Sequence, residues 1–221
     1  MSLYCSISKM GCSGLVTTLA ILLNFNILTI YGMCPQCPDK VHPQEAFCKA
    51  DFVIKAVVDD LTNYGDNPLT PEVDPRDKYT IIVEKIYKGN VTLGCYEEVW
   101  TLRDTLPCGV GLIIGEKYLL SGTIEVGDLV LDPCGLHEPW EEVTSHMKIG
   151  INKRYEKNCQ CEVGESNCQI DTGLIPAQKD CYCKYATCVD SSKAGCAPEC
   201  KWKESKTFGA CFDDSLNVSI I

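Results

Sequence analysis

In Asp51-Phe52-Val53-Ile54-Lys55-Ala56-Val57-Val58-Asp59, Phe52, Ile54, Ala56 and Val58 fall on one face, and Lys55 and Asp59 on the other. That period of two predicts a half-buried strand. Residues 79–87 are rich in β-branched and aromatic side chains and stop at Lys88-Gly89-Asn90, a turn signal. Shorter strands are predicted over 97–102, 117–122 and 128–131. Residues 140–149 follow Pro139 with early acids, Glu141 and Glu142, and a later Lys148, the charge order that suits a helix dipole. Five short strands and a helix within residues 34–159 predict a mainly β chain built on a small closed barrel, best matched by the five-stranded OB fold with flanking helices. Residues 60–78 contain Pro68, Pro71 and Pro75 and are expected to form a projecting loop.

The pattern changes after Cys159-Gln160-Cys161. Residues 161–211 hold eight cysteines but only six Leu, Ile, Val or Phe, too few for an ordinary core. A small disulfide-rich C-terminal module is therefore expected, with 105 possible pairings of eight cysteines. At the other end, residues 1–33 carry one charge, Lys9, and no acid, and 15–30 are mostly apolar. This reads as a secretory signal peptide, shorter than the roughly 20 residues of a membrane span. The expected domains are thus 1–33 (signal), 34–159 (barrel) and 160–221 (cysteine-rich), with a secreted, soluble product that has no membrane span after processing. Cleavage after Met33 frees Cys34, whereas cleavage after Gly32 better fits the small-residue preference.

Composition supports an extracellular setting. Fifteen cysteines from Cys34 onward imply an oxidising compartment, and an odd count leaves at least one thiol free or paired between molecules. Asn90-Val91-Thr92 and Asn217-Val218-Ser219 are glycosylation sequons. The net charge of −10, without any basic run, argues against a nucleic-acid partner. No His-Glu-x-x-His or Gly-x-Ser-x-Gly occurs, and the histidines are only His42, His137 and His146. The chain does not read as an enzyme.

The segment with distinctive chemistry is Cys34-Pro35-Gln36-Cys37-Pro38. With Cys34 as the first residue, its amine nitrogen and carbonyl oxygen form a bidentate chelator that disulfides could hold rigid. Such a terminus suits the open position of a catalytic zinc on another protein. Read instead as a redox pair, Cys34-x-x-Cys37 lacks the expected βαβ surroundings. Cys181-Tyr182-Cys183, in so cysteine-dense a module, reads as disulfide-forming rather than metal-binding.

Several stretches resemble the tissue inhibitors of metalloproteinases, as a divergent, invertebrate-like member. They are His42-Pro43-Gln44-Glu45-Ala46-Phe47-Cys48, Asp51-Phe52-Val53-Ile54-Lys55-Ala56, Ile86-Tyr87-Lys88-Gly89, Cys108-Gly109, Tyr118-Leu119-Leu120-Ser121-Gly122, Glu138-Pro139-Trp140, and Asn152-Lys153-Arg154-Tyr155 before Cys159-Gln160-Cys161. They occur in family order. The resemblance implies a netrin-like OB fold and disulfides Cys34–Cys108, Cys37–Cys134 and Cys48–Cys159. It implies that Cys34 chelates the zinc of a metalloproteinase bound one-to-one, with no cofactor of the chain's own. Pro35 would enter the specificity pocket beside Gln36, Cys37 and Pro38, and Leu106, Pro107, Cys108 and Gly109 would form the second half of a wedge. His42 is expected to be structural, and Trp140 to pack the helix onto the barrel. Cys95 has no counterpart, so it is the leading candidate for the odd thiol, pairing with a C-terminal cysteine being the alternative. The family has one residue between its first two cysteines, where this chain has Pro35 and Gln36, and six C-terminal cysteines against eight here. The two-residue gap motivates an alternative: a non-inhibitory binding module for a receptor or extracellular-matrix partner, through the acidic 60–78 stretch or the C-terminal domain. A disulfide-linked matrix component would follow from the odd cysteine.

Overall fold

The two-residue alternation becomes β1 (Phe52–Asn63), β2 (Arg76–Lys88), β3 (Tyr96–Leu102), β4 (Lys117–Glu125) and β5 (Asp128–Leu131), followed by β6 (His137–Pro139). The computed structural model describes residues 41–63, 76–104, 108–163, 168–171, 173–192, 197 and 199–218, all inside one compact unit, Cys37–Ile221. The sheet order is β1-β2-β3-β5-β4-β6, and β1 also pairs with β4. That second pairing closes five strands into an OB-type barrel, in which only β3–β5 is parallel. β1 serves two neighbours because register shifts at Val53/Ile54, Lys55/Ala56 and Val58/Asp60 bend it. Phe52, Ile54, Ala56 and Val58 all point into the barrel core with Tyr79, Ile81, Val83, Val99 and Leu120. Val53, on the opposite face, is equally buried, against Phe47, Leu119 and Tyr155 in a second core outside the barrel.

Two expectations need correction. The projecting loop was expected over 60–78, but β1 runs on to Asn63 and β2 starts at Arg76. Cross-strand contacts hold this extension: Lys78 forms an ion pair with Glu98, and both Arg76 and Lys78 lie over Trp100. The remaining 64–75 lie outside the described residues. The helix expected over 140–149 is α-helical only from Ser145 to Ile149 (α2, after α1, Pro43–Lys49). The Trp140 N–H donates to the Lys117 carbonyl, which ties 140 to the barrel edge, and the Thr144 hydroxyl caps the later start by accepting from Met147 N–H. Trp140 does bridge helix and barrel, with the Lys55 and Lys148 ammonium groups over its ring at 4.7 and 4.6 Å. The chain then widens into a π-turn, Gly150–Arg154, where a Cβ at Gly150 would collide with the Tyr155 ring.

The cysteine-rich part contains α3 (Pro176–Tyr185), a β7–β8 hairpin (Ala186–Asp190, Cys200–Glu204) and α4 (Phe208–Val218). Among the described residues its disulfides are Cys161–Cys200, Cys168–Cys188 and Cys181–Cys211. Tyr182 contacts Trp202, Phe208 and Phe212, so a small aromatic cluster supplements the disulfides.

The His42–Phe47 motif is the joint between this part and the barrel. Gln44 is fully buried. Its amide nitrogen donates to the Cys188 and Asn158 carbonyls at 2.9 and 3.0 Å, and its oxygen accepts from Cys188 N–H at 2.9 Å. One side chain thus pairs with β7 as a strand backbone would. His42 Nδ1 accepts from Gln44 N–H, which leaves Nε2 as the donor toward the Tyr182 carbonyl at 3.2 Å. His146 Nε2 meets the Thr187 hydroxyl at 2.8 Å, and the Thr144 hydroxyl donates to the Lys184 carbonyl.

Burial holds the His42 imidazole down at about 4, against hydrogen bonds to Tyr182 and Ala186 that favour its charged form. Burial and Arg154 lower His146 as well. A histidine depressed by folding contributes its stability above its ordinary value and loses it as pH falls through the folded one. For His42 the loss runs from about pH 6.5 down to about 4 and amounts to about 3 kcal/mol. His42→Asn keeps the cap on Gln44 N–H without titrating. Urea unfolding from pH 7 to 4 should therefore show a shallower fall in stability for the variant than for the native chain, and identical slopes would contradict this assignment.

Candidate functional site

Of the residues assigned to the wedge, Cys34, Pro35, Gln36, Cys37, Pro38, Leu106 and Pro107 lie outside the described residues, while Cys108 and Gly109 lie within them. β3 ends at Leu102, which forms a bridge with Gly109. A Cβ at Gly109 would run into the Arg103 carbonyl, so only glycine lets the chain turn back this closely. Cys108, with φ of 70°, occupies the left-handed region that non-glycine residues rarely adopt. It is disulfide-bonded to a partner outside the described residues, as is Cys134. Cys48 is joined to Cys159, with Cα atoms 5.4 Å apart, which ties α1 to the chain leaving the barrel.

Residues 110–113 lie between the Leu102–Gly109 bridge and the pairing of 115–116 with Val58, and here hydroxyl groups take the place of strand partners. Val110 N–H donates to the Thr101 hydroxyl at 3.0 Å, Leu112 N–H to Tyr79 at 3.1 Å, and Ile113 N–H to Tyr118 at 3.2 Å. Burial raises the Tyr79 phenol above its ordinary value, so it stays neutral. Val110 and Leu112 insert into the core, whereas Ile113 and Ile114 stand exposed. Asn63 and Thr101 both lie opposite Asp77, so β1 ends at the same barrel end as this edge. The edge thus presents main chain, Gly109 and the exposed Ile113 and Ile114, fixed from beneath.

Cys95 is an exposed thiol and does not pair with a C-terminal cysteine. Cys183 is a buried thiol on α3, and Cys196 lies outside the described residues. The Cys161, Cys188 and Cys200 sulfurs lie within 4.8 Å of one another, but all three are committed to disulfides and offer no thiolate to a metal. Asn90 is exposed, and Asn217 lies in the last turn of α4. Among the described residues, no helix is long and apolar enough to cross a membrane.

The family model described as tissue inhibitor of metalloproteinase matches residues 33–202, most of the chain, from before α1 into β8. The chain belongs to the tissue inhibitor of metalloproteinase family. Metalloproteinase inhibitor 3 of Xenopus laevis is 30% identical over 182 residues, covering 81% of this chain and 73% of that protein. Metalloproteinase inhibitor 2 of Homo sapiens is 29% identical over 202 residues, covering 81% and 87%. Metalloproteinase inhibitor 3 of Scyliorhinus torazame is 27% identical over 168 residues, covering 76% and 74%. The sequence names Cys108 and Gly109 for the wedge but does not single out Thr101, Tyr79 or Tyr118, whose hydroxyls receive the amides that follow Gly109. The alternation that places Tyr79 and Tyr118 inside the barrel was visible, but nothing in it signals which amide their hydroxyls receive.

Tyr79→Phe removes only the acceptor of Leu112 N–H. It should cost about 1–3 kcal/mol in urea unfolding, the range for a buried donor left without a partner. An unchanged midpoint would mean that this hydroxyl does not hold the edge.

Proposed function

We propose that the chain is a secreted inhibitor of zinc metalloendopeptidases that binds its enzyme one-to-one and catalyses nothing itself. Family membership carries this reading. In it, cleavage of a signal peptide over 1–33 frees Cys34, whose amine and carbonyl chelate the enzyme's zinc. The zinc belongs to the enzyme, and the chain needs no cofactor of its own. Disulfides Cys34–Cys108 and Cys37–Cys134 hold the terminus against the edge at Gly109, with Pro35 toward the specificity pocket and Gln36, Cys37, Pro38, Leu106 and Pro107 completing the contact. The domain 34–159 acts as the inhibitory part, while 160–221 is free for matrix or receptor contacts. A wedge whose amides are already fixed by Thr101, Tyr79 and Tyr118 loses little entropy on binding. The amine ligates only when neutral, so inhibition weakens as pH falls and the amine protonates.

The two residues between Cys34 and Cys37 favour a second reading, a non-inhibitory module that keeps the fold and binds a receptor or matrix partner. Proline at position 35 brings no N–H to an enzyme cleft.

One comparison separates the two. Protein proven to start at Cys34 should titrate a zinc metalloendopeptidase stoichiometrically, whereas protein that keeps Met33, and so has an amide in place of the amine, should inhibit at least about a hundredfold less (about 2.8 kcal/mol). Equal inhibition by both would contradict chelation through the amine. Inhibition by neither, across a panel of such enzymes, would leave the binding-module reading.

A further inference from the structure

Where β3 gives way to the edge, a buried carboxylate meets a half-buried arginine. Asp77, on β2, is 2% exposed, and its Oδ1 lies 3.5 Å from Nε of Arg103. That distance is long for a forked ion pair, and Asp77 Oδ1, Arg103 Nε and Arg103 Nη2 have no hydrogen-bond partner among the described residues. Burial raises the Asp77 carboxyl above its ordinary range, Arg103 lowers it, and Asp104 raises it. Burial opposes the ionised form while Arg103 and the Asp104 backbone favour it, and at 3.5 Å the contact is too long for a strong forked pair, so geometry gives it little net stabilisation. Buried ion pairs replaced by apolar residues of similar volume are often neutral or stabilising, and their attested use is to fix one arrangement among several.

The surroundings indicate which arrangement is fixed. Asp77 lies opposite Thr101 in the β2–β3 register, and Thr101 receives Val110 N–H. Arg103 follows two residues later, and its carbonyl abuts Gly109 so closely that no side chain fits between them. Leu102 and Gly109 form a bridge. Wherever Arg103 sits, Gly109 must follow. An apolar contact at 103 would leave the chain free to slide, whereas a charge drawn to one buried carboxylate restricts it.

We propose that the Asp77–Arg103 pair is a positioning device for the Cys108–Gly109 edge, holding it in register with the barrel without adding to the stability of the fold. Its consequence for inhibition rests on the function proposed above, but its consequence for the edge does not.

The test replaces both partners, Asp77→Leu with Arg103→Met, in the full secreted chain, and follows individual amides by NMR hydrogen exchange. The expected result is a Tm equal to or above that of the native chain. Val110 and Leu112 amides should exchange at least about tenfold faster, while the Val58 amide, which donates to the Glu116 carbonyl, is unchanged. Asp77→Asn keeps the shape and serves as the second variant if the double substitution does not fold. Exchange at Val110 and Leu112 as in the native chain, or accelerated together with Val58, overturns the proposal. If the native chain inhibits a metalloendopeptidase, the variant's inhibition constant should rise about tenfold, and an unchanged constant would remove the functional half. Faster exchange in a chain that never inhibits would leave positioning intact and count against the inhibitory reading alone.

Discussion

The buried amide of Gln44 is the contact on which the arrangement of the molecule depends. It satisfies Cys188 N–H and two carbonyls, groups that would otherwise be buried without partners where the barrel meets the cysteine-rich part. Only Asn and Gln side chains offer donor and acceptor in the geometry of a peptide group, and Gln has the longer reach. Around it, His42 caps the start of α1 and reaches Tyr182, Asn158 receives Asp190 N–H, and the Cys48–Cys159 disulfide fixes the far end of the same helix. The joint is polar and buried, which makes it specific but also acid-sensitive, since its two histidines must remain neutral.

The edge follows a different logic. A chain crossing a barrel mouth has backbone N–H groups without strand partners, and burying them unpaired is costly. Here Thr101, Tyr79 and Tyr118 supply the missing acceptors from inside the barrel. The outward side is left as backbone, Gly109 and exposed Ile113 and Ile114. A surface of that kind can lie in an extended cleft without reorganising. The rigidity proposed for the Cys34 terminus would then have its counterpart in a strip whose amides are already committed.

Much of this was legible in the chain and some was not, for identifiable reasons. Phe52, Ile54, Ala56 and Val58 announced β1 because a closed barrel buries one face of each strand. The length of β1 and β2 was underestimated, because the inward positions that continue the alternation are Leu61 and the buried carboxylate of Asp77, and a charged residue at an inward position hides the strand pattern. The start of α2 was misplaced because the bond from Trp140 to Lys117 is tertiary. Cys108–Gly109 stood out as a motif, yet the pairing of Asp77 with Arg103 did not. Two opposite charges 26 positions apart in sequence carry no local pattern. The three C-terminal disulfides could not be read from spacing, since they depend on how β7, β8, α3 and α4 come together.

Chelation of a partner's zinc by Cys34 is the central claim, and the electronic spectrum of a cobalt-substituted metalloendopeptidase tests it most directly. Cobalt in the zinc position reports its own ligands. Adding one equivalent of protein that begins at Cys34 should shift the visible d–d bands, as an amine nitrogen and a carbonyl oxygen replace water. Inhibition with unchanged bands would contradict the claim and place the contact away from the metal.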